Sequence, residues 1–275
     1  MKENIAFGTV INGVVMVAIA ASILHPFMWL FFSSFKLDSD IVSYPPTFLP
    51  STYTLKQYIE VWKRIPLLRL FVNTIIFAGT VTLVSLILDS MAGYAFARIR
   101  FKWRRELFAF TLVTMMVPFQ VLMIPLFVEI YRFGLLNTYW GLILPRATSA
   151  FGIYMMRSFF VSLPKDLEEA ARIDGLNEFG IFLRIMLPLC KPALVTLGIF
   201  HFMSNWNDLI YPLVLTSSSE MRTLPAGLAM FIGERVIEYG PTLAATVLSI
   251  LPLLVSYVFA QKYFVQSVVM TGLKE

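Results

Sequence analysis

The sequence predicts an all-α, polytopic membrane protein with about six spanning helices, and three observations carry that reading. Of the 275 residues, 58% are apolar and only 14% are charged, against about 45–50% and about 25% in soluble domains. The apolar residues collect in solid blocks of about 20 or more, the length a helix needs to cross roughly 30 Å of hydrocarbon. The basic residues, 22 against 17 acidic, border those blocks, as they do at a membrane surface rather than along a nucleic-acid site. The same composition excludes disorder. A β-barrel would show short alternating segments instead of solid blocks. One cysteine, Cys190, leaves no internal disulfide framework and no multi-cysteine metal site.

Taken in order, the apolar blocks cover residues 7–32, 70–93, 107–128, 139–161, 192–215 and 242–264. A backbone in lipid finds no water, so each is expected to be helical. The first carries Ala18-Ile19-Ala20, which looks like a cleavage site, but its apolar run reaches Phe32. That exceeds the roughly 7–15-residue core of a secretory signal, so the block reads as a retained anchor. Pro118 and Pro125 should kink the third block. Arg98, Arg100, Lys102, Arg104 and Arg105 crowd the short connection between the second and third blocks, which places that connection, and with it both chain ends, in the cytoplasm. The connections 33–69 and 216–241 then face outward and 163–191 faces inward, and residues 1–275 read as a single transmembrane domain.

The inward connection carries the most information. Pro164 suits a first helical turn, Asp166, Glu168 and Glu169 suit the positive end of a helix dipole, and Gly175 suits a left-handed stop. Leu167, Ala170, Ala171 and Asp174 share one face by their spacing, and the alanines let another backbone approach. The helix is acidic where a lipid-lying helix is basic, which favours a groove in a partner protein. A second amphipathic stretch, 179–187, is expected to end at Pro188.

These residues resemble a family. Glu169-Ala170-Ala171, then Gly175, then Ile185 with Leu187-Pro188, is similar to the EAA motif of ABC importer permeases, in the form seen in carbohydrate importers. Ala92-Gly93-Tyr94-Ala95-Phe96-Ala97-Arg98 resembles the end of their second helix. Trp206-Asn207-Asp208 with Tyr211-Pro212-Leu213 resembles their fifth, and Arg222-Thr223-Leu224-Pro225 with Gly227-Leu228 their last outer loop. The tail Leu273-Lys274-Glu275 resembles their terminus, with Glu275 in place of the usual glycine. The resemblance spans nearly the whole chain and is nearest to the smaller, maltose-permease-like subunit. It implies a type I ABC importer permease fold in a bacterial cytoplasmic membrane. It also implies four kinds of partner: a second, paralogous permease, two ABC ATPases carrying ATP and Mg, an extracytoplasmic solute-binding protein, and a sugar. Polyol or glycerol-phosphate uptake is a close variant.

On this reading Glu169, Ala170, Ala171, Arg172, Asp174 and Gly175 form the helix that couples to the ATPases. Asn205, Trp206, Asn207 and Asp208 are candidates for the substrate path, because polar groups at membrane depth face protein or water. Helix–helix adhesion is the alternative for them. Met221, Arg222, Thr223, Leu224 and Glu234 are candidates for binding-protein contact, and Leu273, Lys274 and Glu275 for ATPase contact. Asp89 should pair with a basic residue or line a subunit interface, and His25 and His201 read as structural. The sequence shows no phosphate-binding loop, no nucleophile motif and no metal-ligand spacing, so no catalytic residue, metal or bound cofactor is expected. A stand-alone ion-coupled carrier would be expected to show an internal repeat and paired acids at midmembrane. It would also leave the cytoplasmic motif without a role.

Overall fold

Prolines and short polar side chains decide where the apolar blocks bend. The computed structural model describes residues 2–233, 239–252, 254 and 255, and these fall into two compact units: Met1–Leu67 with Met230–Pro252, and Leu68–Ala229 with Leu253–Glu275.

In the first unit, α1 (Lys2–Ser33) runs unbroken through Pro26, and its segment Asn12–Ser33 is long and apolar enough to cross a membrane. Two short helices follow, α2 (Asp38–Ile41) and α3 (Lys56–Arg64). The chain just beyond α1 is tied to α3. The Ser34 and Tyr58 hydroxyls lie 2.7 Å apart, and Gln57 Nε2 donates to Lys36 O at 3.2 Å and to Asp38 Oδ1 at 2.9 Å. Buried Lys36 donates to Thr47 O. Residues 239–252 are helical, so the last block starts slightly earlier than the expected residue 242, and its remainder lies outside the described residues.

In the second unit, α4 (Leu67–Arg98) is the other helix that is long and apolar enough to cross by itself among the described residues. The third block is broken into α5 (Arg104–Thr114) and α6 (Phe119–Arg132), bent by 99°. Pro118 caps α6 in an extended conformation and breaks the block outright, whereas Pro125 sits inside α6. The fourth block is also divided, into α7 (Tyr139–Ile143), a 3-10 turn Leu144–Arg146, and α8 (Ala150–Ser162). Thr138 and Ser149 cap α7 and α8 through their hydroxyls, satisfying backbone N–H groups freed at the break. The break at Pro118 goes further than the kink expected there, and the division of the fourth block corrects the continuous span expected from composition, because an apolar window measures hydrophobicity and not helical continuity.

The connection 163–191 forms α9 (Asp166–Ile173) and α10 (Glu178–Ile181). Pro188 does not stop the chain as expected. A π-type turn, Phe182–Met186, carries it into α11 (Leu187–Leu189). An 80° bend then leads into α12 (Lys191–Trp206). After a break at Asn207 come α13 (Ile210–Leu215) and α14 (Leu224–Gly233). One buried cluster joins Tyr94, Met156, Phe160, Ala171, Ile181, Phe182, Met186 and Leu197, so α9 and α10 share a core with α4, α8 and α12. A second joins Phe77, Val81, Ile130, Leu142, Ile143, Tyr211 and Leu215.

Candidate functional site

Two sites stand out in the second unit, helix α9 and a cavity between broken helices with a cluster of polar groups on its wall.

Helix α9 ends as its sequence dictates. Gly175 adopts φ +84°, a left-handed conformation that costs a residue with a side chain roughly 1–2 kcal/mol. The paired bonds Gly175 N to Arg172 O and Leu176 N to Ala171 O, both 3.0 Å, close the helix in a Schellman motif. Pro164 precedes the helix instead of entering its first turn.

The inner face of α9 is held by charge as well as by packing. Glu168 is buried, with its Oε1 3.2 Å from Arg98 Nε. Arg98, the last residue of α4, also donates through its Nη2 to Phe160 O and Leu163 O at 2.5 Å each. One guanidinium therefore joins α4, the end of α8 and α9. Arg172 continues the network, 3.7 Å from Glu168 and 2.9 Å from Glu178, and the Tyr94 hydroxyl donates to Glu178 at 3.2 Å. Burial pushes the Glu168 carboxyl above the ordinary carboxylate range, with Arg98 and Arg172 pulling it back.

The expected small face is divided by this packing. Ala171 is buried in the core, while Leu167, Ala170 and Asp174 remain exposed together with Glu169, Arg172 and Gly175. Ile173 is 86% exposed and completes an uncovered face that spacing alone did not single out. Glu168 and Arg98 were also missed as a pair. Their signal is chemical: an acid at the start of a helix whose i+4 neighbour is basic, facing an arginine that ends an apolar span.

The cavity has a volume of about 390 Å³ and is lined by Phe119, Leu122, Arg146, Thr148, His201, Ser204, Asn205 and Tyr211, among others. Arg146, at the break in the fourth block, is paired with Asp208, donates to Asn205 Oδ1 at 3.1 Å, and lies 4.3 Å from the Tyr211 ring centroid. The Asn205 amide also donates to His201 O at 2.7 Å. Behind the cavity, Asp89 is fully buried. It accepts from Thr148 Oγ1 (2.6 Å), Ser149 N (2.9 Å) and Ser149 Oγ (3.1 Å), and lies 3.0 Å from His201 Nε2. Asp89 thus pairs with a basic residue as expected, and also secures the start of α8.

Of the four path candidates, Asn205 and Asp208 join this polar cluster. Asn207 is exposed, with its amide on Met203 O at 3.0 Å. Trp206 is only 2% exposed, packed against Phe71 and Phe202, so it presents no open face to stack on a sugar ring. Replacing Arg146 with Ala leaves Asp208 and Asn205 without this partner. The expected loss is about 1.5–3 kcal/mol, the range for hydrogen bonds to charged groups, read as a lower unfolding midpoint with a changed transport rate.

The model for binding-protein-dependent transport system inner membrane components matches residues 89–270. The chain belongs to this family. It is 36% identical over 259 residues to the arabinooligosaccharides transport system permease protein AraQ of Halalkalibacterium halodurans, covering 93% of each chain. It is 33% identical to the diacetylchitobiose uptake system permease protein NgcG of Streptomyces coelicolor, covering 90% of this chain and 82% of that one. Among solved structures it matches a chain of a bacterial ABC transporter involved in the import of the acidic polysaccharide alginate, with a TM-score of 0.83 at 29% identity. That match covers 96% of this chain and 98% of the other. The fold is that of a type I ABC importer permease.

In this inner membrane component, the outer residues singled out by sequence are partly folded away. Asn73 Nδ2 donates to Glu220 O (2.6 Å) and Arg222 O (2.9 Å), and Leu224 N donates to Thr74 Oγ1 (2.7 Å). Thr223 and Leu224 are buried and Met221 and Arg222 half-buried, so this segment lies down on α4 rather than reaching outward. The exposed positions are Ser217, Ser219 and Glu220. Glu234, Leu273, Lys274 and Glu275 lie outside the described residues.

Proposed function

We propose that the chain is the membrane-spanning permease subunit of an ATP-driven importer that takes up a sugar or oligosaccharide in a bacterial cytoplasmic membrane. The observation that carries this reading is the divided helix α9. Its inner side is locked to α4 and α8 through Glu168 and Arg98, and its outer side, with Glu169, Ala170 and Ile173, is uncovered. Such a helix transmits a push: an ATPase gripping the outer face moves α4 and α8 with it.

The chain passes the membrane several times with both ends inside, pairs with a second, paralogous permease, and sits above two ATPases that bind ATP and Mg. It is not itself an enzyme; hydrolysis belongs to those partners. An extracytoplasmic binding protein delivers the solute. Helix α4 carries Arg98 and, nine residues earlier, Asp89, about 13.5 Å away at 1.5 Å per residue. Motion at α9 therefore reaches the polar cavity through one rigid helix. Neutral, hydroxyl-rich solutes suit a cavity whose charges are already paired and whose free groups include Ser204. The oligosaccharides named for AraQ and NgcG support the substrate class.

The test is purification of the chain from its own membrane followed by reconstitution with its binding protein. An ATPase and a second permease should come down with it, and uptake of arabino- or chito-oligosaccharide should require ATP. Solute movement by the isolated chain down an ion gradient would overturn the proposal. Thermal stabilisation of the binding protein by a panel of sugars and polyols identifies the solute.

A further inference from the structure

Helix α3 has two unlike faces. Gln57 and Val61 are buried, and Tyr58 packs on Phe35 with ring centroids 5.2 Å apart. On the opposite side, Leu55, Ile59 and Trp62 are 62%, 51% and 60% exposed. Their i, i+4, i+7 spacing makes one apolar stripe. Exposed Lys63 and Lys56 border it on one flank, with Lys56 Nζ in a solvent-exposed pair 3.5 Å from Asp38 Oδ2. The height of the helix is fixed within its own unit, because α3 is bonded to residues 34–36, the residues directly after the α1 span: Ser34 to Tyr58, Thr54 N to Phe35 O at 2.9 Å, and Gln57 to Lys36 O. Along the chain, only Ile65 and Pro66 separate α3 from α4. Both ends of the helix are therefore tied, along the chain, to segments long and apolar enough to cross a membrane.

We infer that α3 lies in the headgroup layer of the bilayer, with Leu55, Ile59 and Trp62 at the acyl boundary and Lys56 and Lys63 on the phosphates of anionic phospholipid. A nine-residue helix binds lipid weakly alone, but tethering between two spans gives it a high local concentration there. Trp is the residue that membrane interfaces favour. Flanking lysines fit phosphate, and they are depleted from the centres of protein–protein contacts. On α1, Phe27, Met28 and Phe31 are likewise exposed. The side of the membrane follows from the proposed topology; the lipid contact does not depend on the solute carried.

Cys190 is buried, so a cysteine introduced at the surface takes a spin label selectively. Labels at Ile59→Cys and Trp62→Cys, in the full chain purified with its accompanying subunits, are placed in vesicles of phosphatidylcholine with phosphatidylglycerol. Oxygen collisions should exceed those of a water-soluble nickel chelate several-fold at both sites, and the order should reverse at Tyr44→Cys, a fully exposed position. Lys56→Gln with Lys63→Gln should shift both labels toward the chelate in the mixed vesicles and leave them unchanged in phosphatidylcholine alone. Dominant chelate collisions at 59 and 62 would overturn the inference in favour of a solvated face. Low rates for both reagents would overturn it in favour of a covering protein. Brominated lipid should quench the wild-type tryptophan emission more than that of Trp62→Phe, a measurement that needs no label; equal quenching also counts against it.

Discussion

Asp89→Ala is expected to cost the protein about 2–7 kcal/mol, because an interhelical hydrogen bond in a membrane core contributes about 0.6 kcal/mol on average and up to about 1.7, and this carboxylate makes four contacts. The substitution leaves Ser149 N, the Thr148 and Ser149 hydroxyls and His201 Nε2 without their shared acceptor at a fully buried position, and unmade bonds of that kind are costly. Asp89→Asn keeps an acceptor and should fall between the wild type and Ala. Gly152→Val should reproduce the defect while leaving the chemical identity of Asp89 and of its four partner groups unchanged. A Cβ at Gly152 would overlap the Asp89 carboxylate and come within 2.9 Å of Ser149 Oγ. The measurement is the thermal unfolding midpoint of the purified protein in detergent, alongside uptake. An unchanged midpoint in Asp89→Ala would show that the cluster is not what holds α8 in place.

Ile173→Asp is expected to abolish ATP-driven uptake while leaving the chain folded. At 86% exposure this side chain adds almost nothing to the chain's own core, so the unfolding midpoint should stay put. On an ATPase surface, an apolar anchor is worth about 2 kcal/mol or more, which converts to roughly 30-fold weaker docking. Gly175→Glu should act on the same step by another route, since it forces a side chain into φ +84° and adds an anion beside Asp174. Glu168→Ala is the contrasting variant: it leaves the outer face intact but removes the Arg98 pair, so it should lower the midpoint as well as coupling. Normal uptake by Ile173→Asp would remove the docking assignment and leave the membrane fold untouched.

Helix α9 was legible because its signals are local. Acid residues at its start, Gly175 at its end and the EAA spacing lie within a dozen residues, and the structure closes the helix with the bonds those residues permit. The division of its faces was not legible. Leu167, Ala170 and Ala171 are equivalent by period, and only the presence of Phe160, Ile181 and Met186 beneath the loop decides that Ala171 turns inward. Trp206 makes the same point at the cavity. Its neighbours Asn205 and Asp208 mark a polar place in an apolar run, but the indole is enclosed by Phe71, 135 residues earlier in the chain.

By itself the sequence determined that this chain lives in a bilayer, that a short acidic helix stopped by Gly175 lies between its apolar blocks, and that it belongs with importer permeases. Composition, charge placement and short motifs act through lipid solvation and local backbone geometry, which need no distant partner. Tertiary structure alone decided that Asp89 and His201, 112 residues apart, meet over the Thr148–Ser149 break. It also decided that Arg98 fastens α9 from the end of another helix, and that Thr223 and Leu224 fold down beside Asn73 and Thr74. The reason is physical: a buried donor or charge is satisfied by whatever the folded chain brings within about 3 Å, and no period in the sequence records which residue that is.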